Sequence, residues 1–312
     1  MDRKLTYLTV ALIVILAIFL LLVYVGGSVM GIERLQTGEN PLLRFVFVIV
    51  GLLIALALYW FTRESKAWEI GTREVVYMAI GAALYAIFSY LFNGTVFVVP
   101  SVSQVALRPA IAIPMFFGYA FGPVVGFFTG AVGNMFGDAL TGFGLSPQWS
   151  IGNGLVGLIA GMVFLFPDKK KSINTVLIIS VVLAVLATLI FFINRSVPNM
   201  LYFAPDQNIF GDQQISTFAG LSALIGLILV IAVRYLFRDN IDIAAAVTWG
   251  MLGNLLGLGF AAISDIWING FPFGVAIVGE FLPSAGPNLI FAAILVPILV
   301  AAYAAVQRQS GR

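Results

Sequence analysis

Cysteine and histidine are both missing from this chain of 312 residues, and charged residues make up only 10% of it. Without cysteine there is no disulfide framework, no thiolate nucleophile and no cysteine-bound metal. Without histidine the commonest general base and the commonest metal ligand are absent as well. These absences exclude most intramembrane metalloproteases and haem proteins, and we expect neither a metal site nor a cofactor.

Several catalytic and nucleotide-binding motifs are missing too. The chain has no G-x-x-x-x-G-K-[ST] phosphate loop, no H-E-x-x-H and no G-x-S-x-G, so it does not hydrolyse ATP through a phosphate loop. Its net charge is only +2, and no basic run interleaved with aromatic residues indicates nucleic-acid binding. We therefore expect neither an enzyme nor a nucleic-acid-binding protein.

Apolar residues dominate what remains, at 61% of the chain and a mean hydropathy of +1.05. This composition is typical of a polytopic membrane protein in the lipid bilayer. The predicted fold is all-α, with about ten transmembrane helices, of which one, 106–120, is short for a bilayer. The apolar spans lie at 5–29, 42–62, 73–92, 106–120, 122–140, 150–166, 173–194, 215–237, 242–267 and 285–306.

The distribution of charge predicts the orientation of these spans. Counted alternately from a cytoplasmic N-terminus, they place twelve basic residues inside and four outside, so we expect both termini in the cytoplasm of a plasma-membrane protein. Asp138, Asp265 and Glu280 then lie at outer helix ends, at the level of Arg108 and Arg195. Ion-coupled carriers place ionisable groups near the midplane. Polar residues at the outer rim favour capture of a solute from outside.

A glycine-rich helix marks the centre of the predicted site. Gly126, Gly130, Gly133 and Gly137 follow one another at helical offsets of four, three and four, which places them on one face where a neighbouring backbone can approach closely. Asn134 and Asp138 lie one turn apart beside this stripe. The candidate substrate-binding residues at this level are Arg108, Asn134, Asp138, Gln148, Trp149 and Asn153, joined by Asn194 and Arg195 from the next outer loop.

Each of these residues also has a structural interpretation. Arg108 could extend to lipid headgroups, or pair with an anionic or carbonyl-bearing solute. Trp149 could belong to the interfacial aromatic belt, or lie against a planar heterocycle. Ser150 is predicted to cap the following helix. The small-residue face around Ala79 and Ala83 could pack within the chain or bind a separate membrane subunit.

Residues 73–166 resemble the S components of energy-coupling factor (ECF) vitamin transporters. The resemblance rests on the alanine-rich helix 79–86 and on three segments, ALRPAIAIPMFFGYAFGP, GPVVGFFTGAVGNMFGD and SPQWSIGNGLVGLIAG. It implies a six-helix subunit that captures a vitamin or vitamin precursor, such as a riboflavin- or thiamine-precursor-like heterocycle. It further implies a transmembrane T component, contacted through Ala79 and Ala83, and cytoplasmic ATPase subunits. The ligand would lie near Arg108, Asn134, Asp138, Trp149 and Asn153.

The chain is longer than a six-helix core. We expect two additional helices in residues 1–66, the S-component-like core in 67–240, and an additional or alternative helix pair in 241–312. The pair 173–237 is favoured to complete the core because it follows directly. If 242–306 does so instead, the site exchanges Asn194, Arg195 and Asn199 for Asp265, Asn269 and Glu280. A stand-alone secondary carrier and a non-transporting membrane scaffold remain alternative functions.

Overall fold

The computed structural model describes residues 2–93, 98–99, 101–103, 105–142, 144–199 and 214–310. Helices account for most of these residues, and the two strands are only two residues long each. The principal helices are α1 Arg3–Val29, α2 Pro41–Thr62, α3 Thr72–Asn93, α4 Ala112–Phe121, α5 Pro123–Thr141, α6 Pro147–Gly161, α7 Lys169–Ile193, α8 Thr217–Leu236, α9 Ile241–Ile268 and α10 Phe273–Gln309.

The predicted all-α polytopic fold is confirmed. Eight of these helices are long and apolar enough to cross a membrane. The other two are α4, which has 10 residues, and α5, which has 19 residues, almost all of them buried. Each helix corresponds to one of the apolar spans found in the sequence. However, α4 begins at Ala112 rather than at 106, and α10 begins at Phe273 rather than at 285.

The start of α6 differs from its prediction. The helix begins at Pro147 rather than at Ser150, and Ser146 occupies the position before it. Proline suits the first helical position because its missing N–H would have no partner there. The prediction that Ser150 caps this helix is therefore wrong, and its hydroxyl instead accepts a hydrogen bond from Asn134 Nδ2 at 3.0 Å.

Close backbone packing fixes α5 between α3 and α6. Gly126 and Gly130 lie against backbone carbonyl groups of α6, whereas Gly133 and Gly137 lie against α3. A Cβ atom on Gly133 would come within 2.8 Å of Tyr85 Cβ, closer than two side chains can pack. The first two glycines of the stripe therefore contact α6, and the last two contact α3 further along the helix. Small residues are common at such interfaces between membrane helices.

Helix α9 covers the opposite side of α6. A Cβ atom on Gly257 would lie 2.5 Å from the carbonyl oxygen of Gly152, so α6 and α9 also meet backbone to backbone. Within the described part of the chain, α7 packs mainly on α8, α9 and the start of α10. The helix next to α6 is thus α9, which comes later in the chain than α7.

One end of the bundle gathers the connections that form the site. There α5 ends and α6 begins, α9 ends and α10 begins, and α2 and α4 also begin. A short antiparallel hairpin of strands β1 (Val98–Val99) and β2 (Val105–Ala106) leads into α4. The loop between α1 and α2 is fixed to this end, since Leu145 N–H donates to the carbonyl oxygen of Gln36 at 2.9 Å.

Candidate functional site

A cavity of about 300 Å³ opens at this end of the bundle. Its walls come from the start of α2, the β1–β2 hairpin, α5, α6, α9 and α10, so six regions distant in sequence meet around it. The lining residues are Gly38, Arg44, Ser103, Val105, Ala106, Arg108, Asp138, Gly144, Leu145, Ser146, Trp149, Asn153, Leu258, Glu280, Ser284 and Asn288.

Four of the predicted site residues line this cavity, and two of them form an ion pair. Arg108 Nη2 lies 3.0 Å from Asp138 Oδ1, and Arg108 Nη1 donates to Asn134 Oδ1. Asn134 Nδ2 donates in turn to Asp138 Oδ2 at 2.8 Å. Arginine carries five N–H donors, so these contacts leave donors for a solute. Asn134 itself is fully buried behind the cavity wall.

A second set of hydrogen bonds fixes Trp149 and Asn153. Tyr85 OH donates to Asn153 Oδ1 at 2.7 Å, and Asn153 Nδ2 donates to the carbonyl oxygen of Trp149 at 2.9 Å. Trp149 Nε1 donates to Asp265 Oδ2 at 2.8 Å, while Gln148 Nε2 donates to Asp265 Oδ1 at 3.2 Å. The indole ring is thus held in one orientation at the cavity, where a flat ligand ring can lie against it.

Arg44 is one of the four outer basic residues of the sequence and was not predicted as a site residue. It lies in the first turn of α2, is 6% exposed and lines the cavity. Its Nε donates to the carbonyl oxygen of Glu39 at 2.9 Å, and its Nη2 donates to Asn269 Oδ1 at 3.2 Å. An arginine inside the start of an apolar helix is itself a signal of function, because such charges are rare in membrane segments.

Glu280 enters the cavity wall from α10. The residue is 1% exposed, and its Oε2 accepts a hydrogen bond from Ser103 Oγ at 2.6 Å. Ser103 belongs to the loop between β1 and β2, and the sequence pattern carried no signal for it. Its role depends on the hairpin, which brings it next to a helix that lies far along the chain.

Two predicted residues lie away from the cavity. Asn194 Nδ2 donates to the carbonyl oxygen of Ile190 at 2.9 Å, and Arg195 Nη2 donates to Thr217 Oγ1 at 3.2 Å. Neither residue is part of the cavity lining. The end of α9 and the start of α10 occupy the corresponding place, with Asp265, Asn269 and Glu280 at or next to the cavity wall.

Ala79 and Ala83 lie on the outer face of α3. Both are exposed, whereas Ala82 and Ala86 of the same helix are buried and face α5, where Gly133 and Gly137 meet their backbone carbonyl groups. The small residues of α3 therefore form two faces. One packs inside the chain, and the other is open to the lipid or to another membrane protein.

Comparison with known proteins identifies the family. The model for the family described as "ECF-type riboflavin transporter, S component" matches residues 69–235, which is more than half of the chain. The chain belongs to this family. The resemblance inferred from the helices around residues 73–166 is thereby confirmed, and the apolar helices agree with a multi-pass plasma-membrane protein.

Curated relatives match a shorter segment. UPF0397 proteins of Vibrio atlanticus, Aliivibrio fischeri strain MJ11 and Vibrio vulnificus strain YJ016 are 38%, 36% and 34% identical over 104 residues. Each match covers 33% of this chain and 53% of the relative, so the chain spans about half the length of the curated relatives it matches. No solved structure matches the chain.

Proposed function

We propose that this ECF S component captures a vitamin or vitamin precursor, a riboflavin- or thiamine-precursor-like heterocycle, from outside the cell. The observation that carries the proposal is the cavity itself, where the Arg108–Asp138 pair and the oriented Trp149 ring line one space. Small-molecule sites are usually concave and combine apolar or aromatic surface with precisely placed polar groups, and here Trp149 supplies the aromatic surface beside Arg108 and Asp138. Arg108 and Asp138 supply a donor and an acceptor for the edge of a heterocycle, and Asn153 supplies an amide beside them.

Transport would be powered by separate subunits. The chain has no phosphate loop of its own, so ATP hydrolysis would come from cytoplasmic ATPases acting through a transmembrane T component. The exposed face of α3 at Ala79 and Ala83 is the proposed docking surface, since small residues permit close helix contact. With both termini in the cytoplasm, the cavity opens outward.

We further propose that α9 and α10, rather than α7 and α8, complete the binding site. The family match ends at residue 235, within α8, but Leu258, Glu280, Ser284 and Asn288 of the later pair line the cavity. The first two helices contribute as well, through Arg44. The additional helices would then close the site as well as anchor the protein in the membrane.

The decisive experiment is identification of the ligand. The purified protein is denatured and the released small molecules are analysed by mass spectrometry, with riboflavin and thiamine precursors added in parallel if nothing is retained. We expect a stoichiometric heterocycle with the wild type and its loss in Asp138→Ala and Trp149→Ala.

Two variants at the opposite end of the molecule serve as controls. Asp239 has a side chain that is 98% exposed, and Trp60 is 61% exposed. Asp239→Ala and Trp60→Ala should retain the ligand, because neither residue lies near the cavity. A wild type that binds none of the compounds would contradict substrate capture and favour the carrier or scaffold function.

A further inference from the structure

The charged side chains of the cavity differ in how they are neutralised. Asp138 has Arg108 at 3.0 Å, and Asp265, just behind the wall, accepts hydrogen bonds from Gln148 and Trp149. Among the side chains that the structure describes, only Ser103 donates a hydrogen bond to the Glu280 carboxyl group. No basic side chain of the described residues forms an ion pair with it, and its Oε1 has no hydrogen-bond partner there.

A carboxyl group without a counter-ion lowers the stability of the protein when it is buried in a membrane helix. Glu280 is 1% exposed and lies in a membrane helix, where an ionised group without a partner is strongly disfavoured. Replacing it with an apolar residue would remove that cost. Buried polar groups that lack partners in a native structure require an explanation, and a bound ligand is one.

The local backbone around Glu280 is also unusual. Residues Ala276–Phe281 form a π-helical segment within α10. Such segments are rare, are destabilising relative to a regular α-helix, and occur frequently at functional sites. Glu280 lies within this π-helical segment, which therefore contributes to the position of its side chain on the cavity wall.

The size of the cavity limits what can pair with this carboxyl group. A volume of about 300 Å³ is at the lower end of the roughly 300–1,000 Å³ found for small-molecule sites. A compound with one or two rings fits this space. A carboxyl group that lacks a cation selects a ligand that brings a protonated nitrogen or N–H donors.

We infer that Glu280 is a specificity-determining residue that binds the amino edge of an amino-substituted nitrogen heterocycle, such as an aminopyrimidine. The exocyclic N–H and the protonated adjacent ring nitrogen would both donate hydrogen bonds to the Glu280 carboxylate, while Trp149 lies against the ring and Arg108 donates to a carbonyl or hydroxyl group. This inference rests on the proposed function, because it names the class of substrate for the same cavity.

The test compares three ligands on the intact protein. Binding of 4-amino-5-hydroxymethyl-2-methylpyrimidine, of its 4-oxo analogue and of riboflavin is measured by calorimetry with the wild type and Glu280→Gln. Because hydrogen bonds to a charged group are strong, we expect the glutamine variant to bind the aminopyrimidine roughly 10- to 100-fold more weakly. We expect the wild type to prefer the amino compound to the oxo analogue by a similar factor.

The comparison of ligands on the wild type needs no variant, so it holds even if Glu280→Gln folds poorly. Glu64→Gln makes the same chemical change on a side chain that is 94% exposed, and it should bind like the wild type. Equal binding of the amino and oxo compounds, unchanged binding in Glu280→Gln, or binding of riboflavin alone would each overturn this inference while leaving substrate capture intact. Failure of the wild type to bind any vitamin or vitamin precursor would instead overturn the proposed function.

Discussion

Arg108 and Asp138 hold each other at the cavity wall, where their side chains are only 18% and 12% exposed. A charge in this position is tolerated because it has both a counter-ion and an amide neighbour, Asn134, that satisfies further hydrogen bonds. At the scale of single residues, the site therefore consists of charged groups that stabilise one another. Removing one partner leaves the charge of the other unpaired, which lowers the stability of the protein.

Changing Arg108→Gln should destabilise the protein. The variant leaves the Asp138 carboxylate without its cation, and breaking a buried pair in this way lowers the free energy of unfolding by about 3–5 kcal/mol. The double variant Arg108→Gln/Asp138→Asn should recover part of this loss, since it removes the unpaired charge. Thermal unfolding in detergent, followed by tryptophan fluorescence, measures both effects.

Arg195→Gln provides the matched control for this pair. Arg195 is exposed and donates to Thr217 Oγ1 at 3.2 Å, so its loss should change stability by less than about 0.5 kcal/mol. Asp138→Asn completes the cycle. If the double variant lost as much stability as the two single variants added together, the ion pair would have no energetic coupling and this account of the site would be wrong.

At the scale of elements, the α5–α6 contact determines where the site residues lie. Gly126 of α5 and Gly157 of α6 are so close that a Cβ atom on either would overlap backbone atoms of the other. These two helices carry Asp138 and Trp149, so their separation sets the width of the cavity between them. The glycines are thus retained for close approach, despite their low helix propensity.

Gly126→Ala should separate α5 from α6. The added methyl group forces the backbones apart or strains them, and such overpacking usually costs about 1–3 kcal/mol. Ligand affinity should fall with stability, because Asp138 and Trp149 move relative to each other. Gly259→Ala in α9 is the control, since its Cβ atom would have its nearest neighbour at 3.8 Å. Similar thermal stability of the two variants would argue against the close contact.

The outer face of α3 gives a prediction about assembly. Ala83→Trp places a bulky ring on an exposed position, so it should leave folding and ligand binding unchanged but prevent close contact with a T component. Co-purification of the T component and ATPases with the variant measures this effect. Ala301→Trp adds the same ring to an exposed position of α10 and should not interfere. Loss of the partners with Ala301→Trp alone would place the docking surface elsewhere.

At the scale of the whole molecule, charge orients the bundle across the membrane. The cavity and its charged residues lie at one end, and the Lys169–Asp242 pair, at 2.8 Å, marks the other. Because cytoplasmic loops carry the excess of basic residues, the end that holds Lys169 should face the cytoplasm. The cavity then faces outward, as capture of an external solute requires.

Single-cysteine labelling can test this orientation directly, because the chain has no cysteine of its own. A membrane-impermeant maleimide added to intact cells should label Glu33→Cys, in the exposed loop between α1 and α2. It should label Asp239→Cys, between α8 and α9, only after the membrane is permeabilised. Labelling in the reverse order would show that the cavity faces the cytoplasm and would exclude uptake from outside.

The sequence determined the helices and the general position of the site. In the bilayer core, backbone N–H and C=O groups find no water to bond with, so an apolar span of this length satisfies them by forming a helix. The number and order of the helices could therefore be predicted. Arg108, Asp138, Trp149 and Asn153 could be found because polar residues at the ends of apolar spans are conspicuous. Their partners within the same segment, such as Asn134, lie one helical turn away and follow from periodicity.

Only the tertiary structure decided which distant segments complete the cavity. Asn194 and Asp265 both lie at the ends of apolar helices, and nothing local shows that α9 rather than α7 packs on α6. That choice depends on the glycines of α6 and α9, whose backbones meet closely. Arg44, Ser103 and Glu280 likewise reach the cavity only through the packing of the segments that carry them. Helix packing depends on how two surfaces fit together. The sequence shows which residues lie on the surface of each helix, but it does not show which other helix that surface contacts.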